Sequence, residues 1–512
     1  MLTMLSPWTA LMLVLMVGAW AAWTTVYLIR SIRGKEKWAT MARTTDWLPP
    51  GPRGLPILGS LLNLGDLPHR TLHKLAMEYG PIMHMQLGQV QNIIVSSPQA
   101  AQLFLKTHDL IFASRPVTEV SQYIYNRKAV TFSQYGAYWR NLRKLYTIEL
   151  LSSLKIESFK PMRREEVGLL VQSLKDTAKA GIAADLTAKV AALSTDMTCR
   201  MLLGKKYINE SFDEGVFKGV VEEFMHLLGV FNISDYVPYT RVLDLQGLGR
   251  RMKEVHKVFD RFFEKIIDEH VQERDARQPD FVNFMLSFME SNDCEFHFDR
   301  TNIKAILMEI LVAALDTTSI TIEWALSELL RNPRVLKKAH LELENIIGLD
   351  REVEESDLAN LEYLNMVVKE AMRLHPAAPL LIPHEAMEDC TVDRFHIPKK
   401  SHIIINAWAI GRDPNSWSNP EEFYPERFIG THIDVRGQDF QLLPFGSGRR
   451  GCPGLQLGLT AVQFVLAQLV HCFDWELPNG MSPTDLDMTE KCGIVTARIN
   501  HLWAIPAYRL KH

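Results

Sequence analysis

The chain has 512 residues, 47% of them apolar and 23% charged, with a formal net charge of −4. This composition supports a large buried core and excludes disordered and fibrous classes. The slight acidic excess leaves no global basic footprint, so no nucleic-acid partner is expected. Six cysteines, Cys199, Cys294, Cys390, Cys452, Cys472 and Cys492, stand apart with no CxxC pair and no zinc-like spacing. A chain of this length does not need disulfide staples, and all but Cys452 read as reduced thiols of a cytosol-facing fold.

The first 29 residues carry no charge, and from Trp8 to Ile29 they are almost wholly apolar. A helix of that length spans about 30 Å, the thickness of a hydrocarbon core. Arg30, Arg33, Lys35 and Lys37 follow, opposed only by Glu36. Positive charge after the apolar run argues for an anchor with a cytoplasmic body, since a cleaved signal carries it before the run. Residues 1–30 are therefore read as one transmembrane anchor, and residues 31–60 as a basic, proline-rich hinge. Four prolines between residues 48 and 59 fix φ and remove amide donors, so neither helix nor inner strand is expected there.

Residues 61–512 show no repeat and no low-complexity break, and read as a single catalytic domain. Apolar periodicity predicts helices over residues 72–79, 98–107, 138–149, 162–179 and 249–274. Short strands are predicted at 82–87, 91–96, 402–405 and 502–506, with polar loops at 275–280 and 349–355.

In chain order, the first candidate pair is Trp139 and Arg143, one turn apart on a helix. A long apolar helix is predicted from 302 to 330, stopped by Asn332-Pro333. It contains Ala313-Ala-Leu-Asp-Thr-Thr318, which by itself reads as a core helix with small residues for close packing. Glu370 and Arg373 share a helix face at i and i+3. Arg427 follows in Pro425-Glu-Arg-Phe428.

Late in the chain stands Phe445-Gly-Ser-Gly-Arg-Arg-Gly-Cys-Pro-Gly454. Glycines before a cysteine let backbone amides approach the sulfur, and a helix beginning at 455 would aim its positive end at it. Both effects favour a thiolate that could bind a metal.

F-x-x-G-x-R-x-C-x-G is the signature of the cytochrome P450 family, and Phe445, Gly448, Arg450, Cys452 and Gly454 match it. With the other motifs in order, the whole chain resembles the plant A-type, microsomal monooxygenases of specialised metabolism. The resemblance implies a mainly α fold with small β-sheets, the P450 fold, behind one N-terminal transmembrane helix. It implies haem b with Cys452 as the axial thiolate, and Phe445, Gly446 and Gly454 shaping the loop around it. Trp139, Arg143, Arg450 and His384 would meet the haem propionates; His384 stands where many relatives carry Arg. Thr317 and Asp316 would relay protons to bound oxygen, while Ala314 replaces the more usual Gly. Glu370, Arg373 and Arg427 would form a buried structural cluster.

O2 and NADPH are then the co-substrates, with NADPH–cytochrome P450 reductase as partner and Arg140, Lys144 and Arg449 as candidate contacts. The expected location is the endoplasmic reticulum membrane, single-pass, with the catalytic domain in the cytosol and membrane lipid around the anchor. By position, the substrate pocket should draw on Phe231, Ala313, Leu380, Leu381, Ile382 and Ile494. An apolar pocket suits a small terpenoid (mono-, sesqui- or diterpenoid). The alternatives are an aromatic hydroxylase of phenylpropanoid, flavonoid or biphenyl substrates and, from another class, a reductase-independent haem-thiolate isomerase or lyase. Members of that last class commonly lack the acid–threonine pair, which this chain retains.

Overall fold

A computed structural model describes residues 48–206, 214–272, 280–291 and 296–511. The predicted anchor, most of the hinge and the 275–280 loop up to residue 279 lie outside the described residues. The chain divides into two compact units, Met1–Leu48 with Thr391–His396, and Pro49–Cys390 with Ile397–His512. The described part of the first is Leu48 and a two-stranded turn in which Asp393 has φ 56°. Everything below concerns the second unit.

Helices dominate. Nine of them position the site and its core: α1 (Pro68–Tyr79), α2 (Ala137–Leu145), α3 (Lys160–Ala180), α4 (Leu186–Leu203), α5 (Leu248–Gln272), α6 (Arg300–Arg331), α7 (Pro333–Ile347), α8 (Glu362–Leu374) and α9 (Leu455–Cys472). The helices predicted at 98–107 and 138–149 each continue as an α-helix that loosens into a π turn, Leu103–Thr107 and Tyr146–Leu150. The helix predicted from residue 72 begins at Pro68, because proline needs no amide partner in the first turn.

The central helix, α6, is bounded by two local signals. Asp299 and Asn302 form a reciprocal cap, each side chain accepting from the other's amide. At the far end Pro333 cannot continue the helix, and Asn332 Nδ2 donates to the Glu328 carbonyl at 2.8 Å. Between these ends α6 passes through two hydrophobic cores. Its first half, Ile303 to Leu315, packs with Phe259, Phe262, Phe263 and Ile266 of α5. Its last turns, Ile322 to Leu330, pack with α3, α4, α7, α8 and α9. Ala313, Ala314, Asp316, Thr317 and Thr318, next in sequence to Val312 and Leu315 of the first core, belong to neither core. By length and apolar composition α6 and α9 could each cross a membrane, but both are mostly buried within the protein.

Four strands form the main sheet: β1 (Ile82–Leu87), β2 (Val90–Val95), β3 (His384–Glu385) and β4 (His402–Ile405), in the order β1-β2-β4-β3. β1 and β2 are antiparallel, β2 and β4 parallel, and His384 pairs with Ile403. The first described residues run along β1: Pro50 O accepts from the His84 amide at 2.9 Å. Gly51 is required there, since a Cβ would stand 1.7 Å from His84 O. The C-terminal strand spans Trp503–Tyr508, close to its predicted place.

Candidate active site

The loop before α9 is folded on itself by three backbone bonds: Cys452 N to Phe445 O (2.9 Å), Gly451 N to Gly448 O (3.1 Å) and Gly446 N to Leu443 O (3.1 Å). Gly446 and Gly448 both have φ 67°, a region that favours glycine. At Gly448 a Cβ would also meet Leu105 O at 2.5 Å and Asp109 Oδ1 at 2.6 Å. Asp109 secures the loop, pairing with the Arg449 side chain and accepting from its amide at 3.3 Å.

This folding turns Cys452 toward a cavity of about 320 Å³. Among the described side chains it is the one cysteine on that wall; Cys199 and Cys472 are buried elsewhere. Burial pushes the Cys452 thiol up, against the Gly454 amide and the Arg143 charge, which favour the anion. The loop and helix end therefore do not lower the thiol by themselves; a bound metal is what deprotonates a coordinating thiol outright.

Ala313, Ala314 and Thr317 of α6 form the facing wall, with Ile310 a turn earlier. The Thr317 hydroxyl donates to Ala313 O at 2.7 Å, and Ser194 of α4 donates to Ala314 O at 3.1 Å. α6 stays helical through these residues. Asp316 is not on the wall. It is half-buried on another face of α6, and burial with the Glu222 charge raises its carboxyl above the ordinary value.

Trp139 and Arg143 bring α2 to the cavity. The Trp139 indole N–H is spent on Val130 O at 3.1 Å. Arg450 lies over that ring, 4.4 Å from its centre, and donates to Ala113 O, Val130 O and Ser133 O at 2.6–2.8 Å. Burial presses the Arg450 guanidinium down to about 9. His384 donates from Nδ1 to Phe112 O at 2.9 Å, and burial together with Arg115 and Arg450 drives it far toward the neutral form. Around the protein's own groups, His384 therefore favours the neutral imidazole.

Of the expected substrate residues, Ala313, Leu381 and Ile382 line the cavity, Leu381 at a left-handed φ of 48°. Phe231, Leu380 and Ile494 do not. Phe231 is exposed and stacks on Tyr236, Leu380 packs against the core beside β1, and the Ile494 amide lies against Gly229. Chain order places residues 115–131 and 308–313 at the pocket, but gives two charged residues within them no role. Arg115 is fully buried and donates to Thr131 O, Ile382 O and Pro383 O. Glu309 is the one carboxylate among the described residues of the wall. Lone charges inside the apolar stretches 110–116 and 305–315 are the signal that could have found them.

These charges test whether haem fits. Four guanidiniums line the cavity, Arg115, Arg143, Arg163 and Arg450. Glu355 neutralises Arg163 through two bonds of 2.7 Å. For the other three the wall offers one carboxylate, Glu309, and the Arg143 side chain has no hydrogen-bond partner among the described residues. A buried excess of positive charge needs an anionic occupant. An apolar macrocycle with two carboxylates and an open metal position matches the arginines, the apolar walls and the thiol.

Behind the thiol loop, Glu370 is fully buried and binds Arg373 twice, at 2.7 and 2.8 Å, and Arg427 at 2.9 Å. Its carboxylate also accepts from the Tyr424 amide, and the guanidiniums are completed by carbonyls of Gly411, Pro420, Glu422 and Ser418. Every charge in the cluster is thus paired.

A mainly helical body whose central helix crosses a thiol-bearing, arginine-lined cavity defines a haem-thiolate oxidoreductase. The family model described as Cytochrome P450 matches residues 49–504, and the chain belongs to that family. It is 55% identical over 473 residues to Cytochrome P450 CYP736A12 of Panax ginseng, covering 90% of this chain and 94% of the relative. Cytochrome P450 71A1 of Persea americana is 44% identical (85% and 88% covered), and flavonoid 3'-monooxygenase CYP75B137 of Crocosmia x crocosmiiflora 41% (91% and 93%). The chain is therefore a plant-type P450 monooxygenase, using haem with a cysteine thiolate ligand, O2, and NADPH through a reductase.

Proposed function

We propose that the chain hydroxylates a small apolar plant metabolite, a terpenoid in the first place, with haem held by Cys452. The observation that carries this reading is the cavity itself, lined by one thiol, by Arg115, Arg143 and Arg450, and by the small residues Ala313 and Ala314 of α6. Haem supplies the activation of O2 and the transfer of one oxygen atom to substrate.

The protein's part is positional. Cys452 Sγ would ligate the haem iron, and the Gly454 N–H and the Arg143 charge would favour its anionic form. Arg115, Arg143 and Arg450 hold the propionates by charge-assisted bonds. His384 directs Nδ1–H to Phe112 O, and burial with the Arg115 charge favours its neutral form, so it adds little cationic charge to the propionate contacts. Thr317 presents a hydroxyl that can leave Ala313 O and pass on a proton; Asp316, with its raised proton affinity, resupplies it.

Ile310, Ala313, Ala377, Ala378, Leu381 and Ile382 carry no charge, so substrate recognition on this side is by shape and burial. That favours a terpenoid skeleton. The printed activity of the Crocosmia relative favours an aromatic substrate as the second reading. Residues 1–30 serve as an endoplasmic reticulum anchor ahead of a hinge over 31–60 and a cytosolic catalytic domain over 61–512. Exposed Tyr239, Val242, Leu243 and Leu245 add an apolar surface suited to lipid.

The test is co-expression with a plant reductase in microsomes, feeding terpenoids and phenolics separately and following gain of one oxygen by mass. Oxygenated terpenoid is expected, and only with NADPH. Product from phenolics alone would replace the terpenoid reading, and NADPH-independent rearrangement would overturn the monooxygenase one.

A further inference from the structure

Glu309 sits one turn before Ala313 on α6 and takes no part in the chemistry above. Its Oε2 accepts from the Val130 amide at 3.0 Å and from the Tyr146 hydroxyl; its Oε1 accepts from the Thr131 amide at 2.5 Å. The backbone leading into this loop is strained. Tyr125, Asn126 and Arg127 are three successive non-glycine residues at left-handed φ of 44°, 53° and 64°. Such a turn persists only where its surroundings over-determine it. Lys128 adds a second tether to Asp299 at 3.2 Å, but the two amides nearest the cavity are held by Glu309.

The carbonyls of the same two residues face the other way. Val130 O receives Arg450 Nη1 at 2.8 Å and Trp139 Nε1 at 3.1 Å; Thr131 O receives Arg115 Nε at 3.2 Å. One carboxylate behind the loop therefore fixes one of the carbonyls that hold each guanidinium in front of it; Ala113 O and Ser133 O complete the hold on Arg450, and Ile382 O and Pro383 O that on Arg115.

We propose that Glu309 is a positioning residue: by capping the amides of Val130 and Thr131, it holds the carbonyls that aim Arg115 and Arg450 at the haem propionates. The inference rests on the reading that these arginines meet propionates. Glutamine cannot replace it, since only one of its two head atoms accepts and the other would set a donor against an amide donor. Aspartate keeps both acceptors, one methylene short. Phenylalanine at 146 removes one of three donors and leaves both amides capped.

The experiment is haem transfer from purified full-length holoprotein to excess scavenging apomyoglobin, with resonance Raman spectra of each variant. E309Q is expected to release haem about tenfold faster than wild type, the scale of one lost hydrogen bond to a charged group. Its propionate bending bands should shift while the iron–sulfur stretch stays in place. E309D should recover most of the wild-type rate, and Y146F should fall between E309D and E309Q. Release from E309Q at the wild-type rate would overturn the proposal. So would faster release with unmoved propionate bands and a displaced iron–sulfur stretch, which is general loosening. Should E309Q not fold, E309A, which leaves the same two amides without an acceptor, is read instead, and wild-type release with wild-type propionate bands there would overturn the proposal equally. Wild-type protein that takes up no haem would overturn the underlying reading instead, so the two failures are told apart.

Discussion

Arg450 stacks on Trp139 and shares an acceptor with it: both donate to the carbonyl of Val130, at 2.8 and 3.1 Å. The two residues lie more than three hundred positions apart in sequence, yet each fixes the other's orientation through one oxygen atom.

Arg450→Lys keeps the charge and loses the geometry. An ammonium cannot reach Ala113 O, Val130 O and Ser133 O together or stack as a plane on the indole. Each buried carbonyl left without a donor costs about 1–3 kcal/mol. Haem per mole of purified R450K, by pyridine haemochrome, should fall to about half of wild type or below.

Glu370→Ala strips the partner from two buried guanidiniums. Breaking a buried pair in this way costs about 3–5 kcal/mol, because the remaining charges are left uncompensated. The urea midpoint of E370A should drop accordingly, and less folded protein should accumulate at growth temperature. Removing Arg427, whose head also contacts solvent-side carbonyls, should cost less.

Thr317→Ala removes the hydroxyl on the cavity and only a back-bond within a helix. Haem content and the reduced carbon monoxide spectrum of T317A should match wild type. Product formed per NADPH consumed should fall about tenfold or more, the lower range of what a positioned proton donor contributes.

His402 in β4 gives the protein a pH-dependent stability. Burial, then the Lys400 charge, lowers it from 6.5 to about 4. Between those values the unfolded chain binds the proton and the folded one does not, so stability declines as pH falls through that window. Above 6.5 the imidazole is neutral in both states and contributes nothing to the slope. Urea unfolding at pH 7, 6, 5 and 4 should show a shallower decline for H402Q than for wild type.

Local signals were legible in the sequence. The thiol loop needs glycine at fixed offsets, Glu370 and Arg373 are one turn apart, and α6 is bounded by a cap and a proline, so each can be read from neighbouring residues. The predicted haem-facing Trp139, Arg143 and Arg450 all reach the cavity. What escaped depends on backbone carbonyls brought from afar. Arg115 is held by oxygens of residues 131, 382 and 383, and a carbonyl has no sequence signature. Glu309 works through amides for the same reason. Phe231, Leu380 and Ile494 were apolar residues near the expected pocket in chain order, and apolarity alone does not say which wall a side chain covers. The protonation of His384 required its neighbours, two arginines and a carbonyl that only folding assembles.

Because a single rod threads both cores and turns one face bare of either at its midpoint, the reacting wall inherits its placement from packing along both halves. A volume change at Phe263 or at Leu326 would tilt or slide that rod without altering any residue that borders the substrate. Selection can in this way retune which molecules are accepted from sites that an inspection of the pocket would pass over.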